Sequence, residues 1–113
     1  MTNSITQAKE IQQLAERFLY EKVEKPYTDI EEWRKVQEYL ATCMEALLKQ
    51  EGSTPDEEGE IVLAILMGYN VVVRKERNIA YAIERANLAL PAIQNQLLKC
   101  RLKEFLLEME ESF

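Results

Sequence analysis

The sequence predicts an all-α protein, a compact antiparallel bundle of about five helices packed around one central hydrophobic helix. Three observations carry that expectation. Hydrophobic residues make up 47% of the 113-residue chain and charged residues 30%, with only three glycines and three prolines to interrupt it, which is the composition of helices joined by short connections. Apolar residues recur at three- and four-residue steps through four segments. A fifth segment, Ile61 to Val73, is apolar on every side of a helical wheel except at Asn70, and such a helix has to be surrounded by the others. A chain of this length forms one domain, residues 1–113, and buries roughly two thirds of its unfolded surface.

The first helix is expected to start after Ser4 or Thr6 and run to about Glu24, with Ile5, Ala8, Ile11, Ala15, Phe18 and Leu19 on one stripe. Pro26 and Tyr27 break that pattern. Thr28 with Glu31 then has the spacing of a capping box and opens a second helix to about Gln50. Its inward stripe is Ile30, Trp33, Gln37, Leu40, Met44, Leu47 and Leu48, with Val36 and Cys43 on the flank. Trp33 fits an interface anchor, but its place within the stripe favours core packing. Gly52 suits the helix C-terminus, and Gly52-Ser53-Thr54-Pro55 makes a tight connection into the central helix.

That third helix has a well-marked start. Thr54 caps, Pro55 takes the first helical position, Asp56 lies in the first turn and Glu57 completes a second capping box. From Thr54 the pattern runs on to Val73, too long for an ordinary strand despite its β-branched content. Its apolar part is too short to cross a bilayer, which takes about 20 residues. Arg74, Lys75 and Arg77 follow and complement the negative end of the helix. Asn78 is positioned to cap a fourth helix whose stripe is Ile79, Ala82, Ile83, Ala86 and Leu90. Pro91 ends it and opens a fifth helix at the first position, with Ile93, Leu97, Leu98, Leu102, Phe105, Leu106 and Met109 inward.

The charge balance narrows the function classes. Twenty acidic against fourteen basic side chains give a net charge of −6, so a nucleic-acid partner would be held against the overall field. Three cations around Glu76, with Tyr81 the nearby aromatic, fall short of a nucleic-acid patch. Protein partners are expected instead. The chain has no histidine, which removes the commonest general base and the commonest metal ligand. With no glycine-rich phosphate loop, nucleophile elbow or CxxC either, the expectation is a helical domain that binds a partner without a cofactor and is not an enzyme, a site built of carboxylates alone being the catalytic alternative. Cys43 and Cys100 lack metal-ligand spacing, and without a signal or membrane segment they read as reduced thiols of a cytoplasmic protein.

Asp56, Glu57, Glu58 and Glu60 are the candidate partner-binding residues. They fit helix capping and dipole complementation, and they also fit a negative patch that meets a basic partner.

A run of motifs adds a resemblance. Glu57-Glu58, then Leu63-Ala64-Ile65-Leu66-Met67-Gly68-Tyr69-Asn70, then Ile83-Glu84-Arg85, Leu90-Pro91 and Leu97-Leu98-Lys99-Cys100-Arg101-Leu102 occur in order from Thr54 to Leu102. In order and approximate spacing they resemble the UpxZ family, small proteins of capsular polysaccharide operons in intestinal Bacteroides. The Leu-Met-Gly-Tyr-Asn and Leu-Leu-Lys-Cys-Arg-Leu pieces are the specific part. After Leu102 the family pattern continues through a Cys-Tyr pair and a longer acidic tail, whereas this chain has Lys103-Glu104-Phe105 and ends at Phe113.

The resemblance implies a regulator that antagonises NusG-like antiterminators of other capsule operons. It would do so by occupying the antiterminator, or the elongation complex that holds it. The alternative class is a helical adaptor or small chaperone unrelated to transcription, which would bury an exposed stripe of the first or last helix as a homodimer.

Overall fold

Local chemistry, helical periodicity and long-range burial divide the chain into five α-helices among the described residues. These are α1 (Ser4–Glu21), α2 (Ile30–Leu48), α3 (Pro55–Gly68), α4 (Glu76–Ala89) and α5 (Gln96–Glu111), with a 3-10 turn at Leu90–Ala92. The computed structural model describes residues 4–21, 30–69, 72 and 75–111, with side chains at 5–16, 34–69, 72 and 75–109. The expected end of the first helix near Glu24 and the Thr28–Glu31 box lie outside these residues. So do the side chains of Phe18, Leu19, Ile30 and Trp33, and residues Asn70, Val71, Val73 and Arg74.

The central position belongs to α3. Ile61 through Gly68 are all buried, as is Gly59, and α1, α2, α4 and α5 all pack against this helix, α1 and α4 most extensively. Small residues explain the closeness of α1, since Ala8 and Ala15 are fully buried on either side of Ile11. On α2 the buried set is Leu40, Cys43, Met44 and Leu47. Cys43 is therefore a core residue and not a flanking one, whereas Val36 and Leu48 are the half-buried flank. On α5 Leu98, Leu102, Leu106 and Met109 are buried, but Leu97 stands 72% exposed. It precedes the buried face by one residue, about 100° of rotation on a helix.

Four boundaries differ from expectation, each for a local reason. First, α3 stops at Gly68 and Tyr69 forms its C-cap; the apolar run continues as buried Val72, but outside the helix. Burial outlasts the helix there. Second, α4 begins at Glu76 with Lys75 at the N-cap, and the Asn78 side chain donates instead to the buried Tyr69 hydroxyl at 2.8 Å. Third, Pro91 lies within the 3-10 turn, and α5 opens later with Asn95 Oδ1 accepting from the Leu98 amide at 3.1 Å.

The fourth is Gly52, which lies four residues past α2 and has no positive φ, so it is not the left-handed cap expected. Its lack of a side chain serves a close approach. A Cβ there would come within 2.6 Å of the Glu58 Cα and 2.7 Å of the Glu57 carbonyl carbon.

Polar contacts between helices supplement the core. Tyr39 on α2 donates to Glu10 on α1 at 3.0 Å, and that bond first, then contacts with Cys43, push the phenol up to about 12. Arg101 on α5 pairs with Glu16 on α1 at 2.8 Å. Both members of that pair are well exposed, so it adds little to stability.

Candidate functional site

The acidic start of α3 is where the chain's polar groups converge. Thr54 accepts from the Glu57 amide at 3.1 Å, as a cap should. The return half of the capping box is shifted by one residue, because the Glu57 carboxylate accepts from the Ser53 amide at 2.9 Å and not from Thr54. Asp56 reaches across to the segment before α5, its two oxygens accepting from the Gln94 amide at 2.7 Å and the Asn95 amide at 3.1 Å. Glu60 faces α1, where the buried Gln12 donates to its carboxylate at 2.8 Å and to its backbone carbonyl at 3.0 Å.

Glu58 makes the strongest of these connections. The Arg85 guanidinium on α4 grips it in a bidentate pair, Nε to Oε2 at 2.7 Å and Nη2 to Oε1 at 2.6 Å, the geometry that gives such pairs extra strength. Gly52 N–H donates to the same carboxylate at 3.0 Å. Arg85 also donates from Nη2 to the Gln50 carbonyl at 2.6 Å and from Nη1 to the Leu48 carbonyl at 3.5 Å, closing the end of α2. Its guanidinium carbon lies 5.6 Å from the Tyr81 ring centroid. Burial by itself would raise the Glu58 carboxyl, but the Arg85 hydrogen bonds, the Gly52 amide and the nearby positive charge outweigh it and hold it below the usual range. Arg85 is correspondingly raised by its hydrogen bond to Glu58, against the effect of burial.

The four predicted residues thus lie together, half-buried, and each is bonded to a different part of the chain. Asp56 holds the α5 approach, Glu57 the loop, Glu58 holds α4 and Glu60 holds α1. Arg85 was missed at the sequence level. Its signal was present, three residues after Ala82 and four before Ala89, both buried, which puts a cation on the apolar stripe of α4.

Beside Arg85 a groove of about 530 Å³ opens between the Glu51–Thr54 loop and α4, with Tyr81, Glu84 and Leu88 along it. A smaller polar cleft of about 280 Å³ lies between α1 and Arg101, with Lys9, Gln12 and Glu60 on its walls. Among the described residues no three His, Cys, Asp or Glu side chains converge as metal ligands. No helix among them is long and apolar enough to cross a membrane. Cys43 is buried and Cys100 exposed, both as free thiols.

The family model of the UpxZ family of transcription anti-terminator antagonists matches residues 8–107. The chain belongs to this family. A crystal structure of a transcription anti-terminator antagonist UpxZ from Bacteroides uniformis superposes with a TM-score of 0.77 at 27% identity, over 93% of this chain and 67% of that one. UpxZ proteins therefore share this helical architecture, including a chain longer than the present one. No protein of curated function matches the sequence.

Proposed function

We propose that this protein antagonises transcription antitermination by binding a NusG-like antiterminator of another capsular polysaccharide operon, alone or within the elongation complex. Membership of the UpxZ family over residues 8–107 is the observation that carries this reading. A binding protein of this kind acts by occupancy: the bound antagonist excludes polymerase or nascent RNA from the surface the antiterminator needs. The acidic start of α3 belongs to the contact in this proposal. A carboxylate oxygen accepts more than one hydrogen bond, so Asp56, Glu57 and Glu60 can tether the fold and still face a cationic partner, while Glu58, neutralised by Arg85, holds that surface in shape.

The test is co-purification of the tagged protein with a panel of NusG-like antiterminators from capsule loci at low and moderate salt. Selective capture of some members is expected. Failure of the folded protein to capture any member, free or in an elongation complex, removes the proposal. With a captured partner in hand, Glu57→Lys should weaken binding several-fold and flatten its salt dependence, because its charge then opposes the partner's. Equal affinity and equal salt dependence would take the acidic start of α3 out of the contact.

Leu97 and Leu107, 72% and 59% exposed on α5, favour a second reading, a helical adaptor that dimerises through its last helix. Sedimentation at micromolar concentration separates the two, since a monomer leaves that reading without its interface.

A further inference from the structure

We propose that the groove between the Glu51–Thr54 loop and α4 seats a basic segment of the protein partner, one that carries an aliphatic or aromatic anchor next to a lysine or arginine. The inference rests on the antagonist reading and assigns it a surface. Size is the first argument, since this open groove of about 530 Å³ lies in the volume range of ligand-binding clefts. Apolar exposure is the second. Leu88 stands 78% exposed and Tyr81 49% exposed along one wall, where an anchor side chain would cover both.

Charge selects the occupant. Glu51, Glu58 and Glu84 line the groove with Arg85 as its cation. That cation is largely engaged within the fold: four of its five N–H donors are taken, two by Glu58 and two by carbonyls at the end of α2, and its face lies over Tyr81. Glu51 and Glu84 are exposed and Glu58 pairs with Arg85, so the lining sets three carboxylates against one guanidinium and is negative on balance. A phosphate backbone would be repelled, whereas a lysine or arginine is attracted to both walls. A second copy of this chain is a poor occupant, because each copy brings a net charge of −6.

Affinity for an antiterminator captured from the panel is measured by calorimetry at two salt concentrations, with the full chain and three exposed-site variants. Leu88→Lys should weaken binding by about tenfold or more, as expected when an apolar anchor contact is replaced by a like charge. Glu84→Lys should weaken it several-fold and reduce the salt dependence, while Leu97→Lys on α5 leaves affinity unchanged. Unaltered melting temperatures confirm that each variant is folded.

Wild-type affinity in both Leu88→Lys and Glu84→Lys overturns the groove and leaves the antagonist reading standing. Loss confined to Leu97→Lys moves the contact to α5 and also overturns it. If no antiterminator is captured by the wild type, the reading and the groove fall together. A wild-type dimer that Leu88→Lys converts to a monomer would make the occupant a second copy and overturn the assignment to a basic partner.

Discussion

Replacing Glu58 by alanine should destabilise the fold by about 2–4 kcal/mol in a denaturant titration, because it leaves the Arg85 guanidinium buried without its counter-charge. The Arg85 side chain is 8% exposed and that of Glu58 19%, so water compensates only in part. Gly52 N–H loses its acceptor in the same variant. Glu58→Gln should cost less, since the amide oxygen still accepts one bond. Removing both charges, as in Glu58→Leu with Arg85→Met, should restore part of the loss, because the charge that was stranded is gone. Recovery stays incomplete: the Leu48 and Gln50 carbonyls then lose their donor. A loss below about 1 kcal/mol for Glu58→Ala would mean that water solvates the pair.

The same pair sets an acid limit. The Glu58 carboxyl is held below its ordinary value of 4.5 in the folded chain. Its contribution is therefore complete above that value and fades as pH falls through the folded pKa, where protonation releases Arg85. Melting temperature followed from neutral pH downward should fall more steeply in the wild type than in Glu58→Gln. Parallel curves for the two proteins would show that other carboxylates govern the acid transition.

Gly52→Ala should cost about 2 kcal/mol or more, at the upper range of what forcing one carbon into a closed space costs. The obstacle decides the size. At Gly59 an added Cβ would come within 2.7 Å of the Ile93 Cδ1 tip, and at Gly68 it would meet the Met44 side chain; both side chains can turn aside. At Gly52 it meets the Glu57–Glu58 backbone, which moves only if the first turn of α3 moves. Gly59→Ala and Gly68→Ala should therefore be milder than Gly52→Ala. A Gly52→Ala variant within 0.5 kcal/mol of the wild type would show that the loop can back away from α3.

Much of this arrangement was legible in the sequence where its causes are local. Thr54 and Pro55 mark the start of α3 through their own side chains, and the buried core of α3 follows from a segment with no polar face. The end of α3 was not legible, because Val72 is buried whether or not its backbone is helical. Asn78 and Asn95 show the same limit. Both are plausible caps by residue type, and only the buried Tyr69 hydroxyl beside Asn78 decides which of them caps a helix.

The acidic group was legible as a group, and its bonding was not. Capping accounts for contacts within a few residues, whereas Arg85 lies 27 positions from Glu58, Asn95 lies 39 from Asp56 and Gln12 lies 48 from Glu60. No local pattern encodes such pairings. They become visible only once the helices are docked.

Helix ends ordinarily fray, exposing their first amides to solvent many times before the whole molecule opens. At α3 the first turn cannot lift away without releasing α1, α4, the end of α2 and the approach to α5 together. The Glu58 amide, bonded to the Thr54 carbonyl at 2.9 Å, should therefore exchange far more slowly than the first turn of a helix that is free to fray, which makes the start of the central helix a slow clock instead of a fast one.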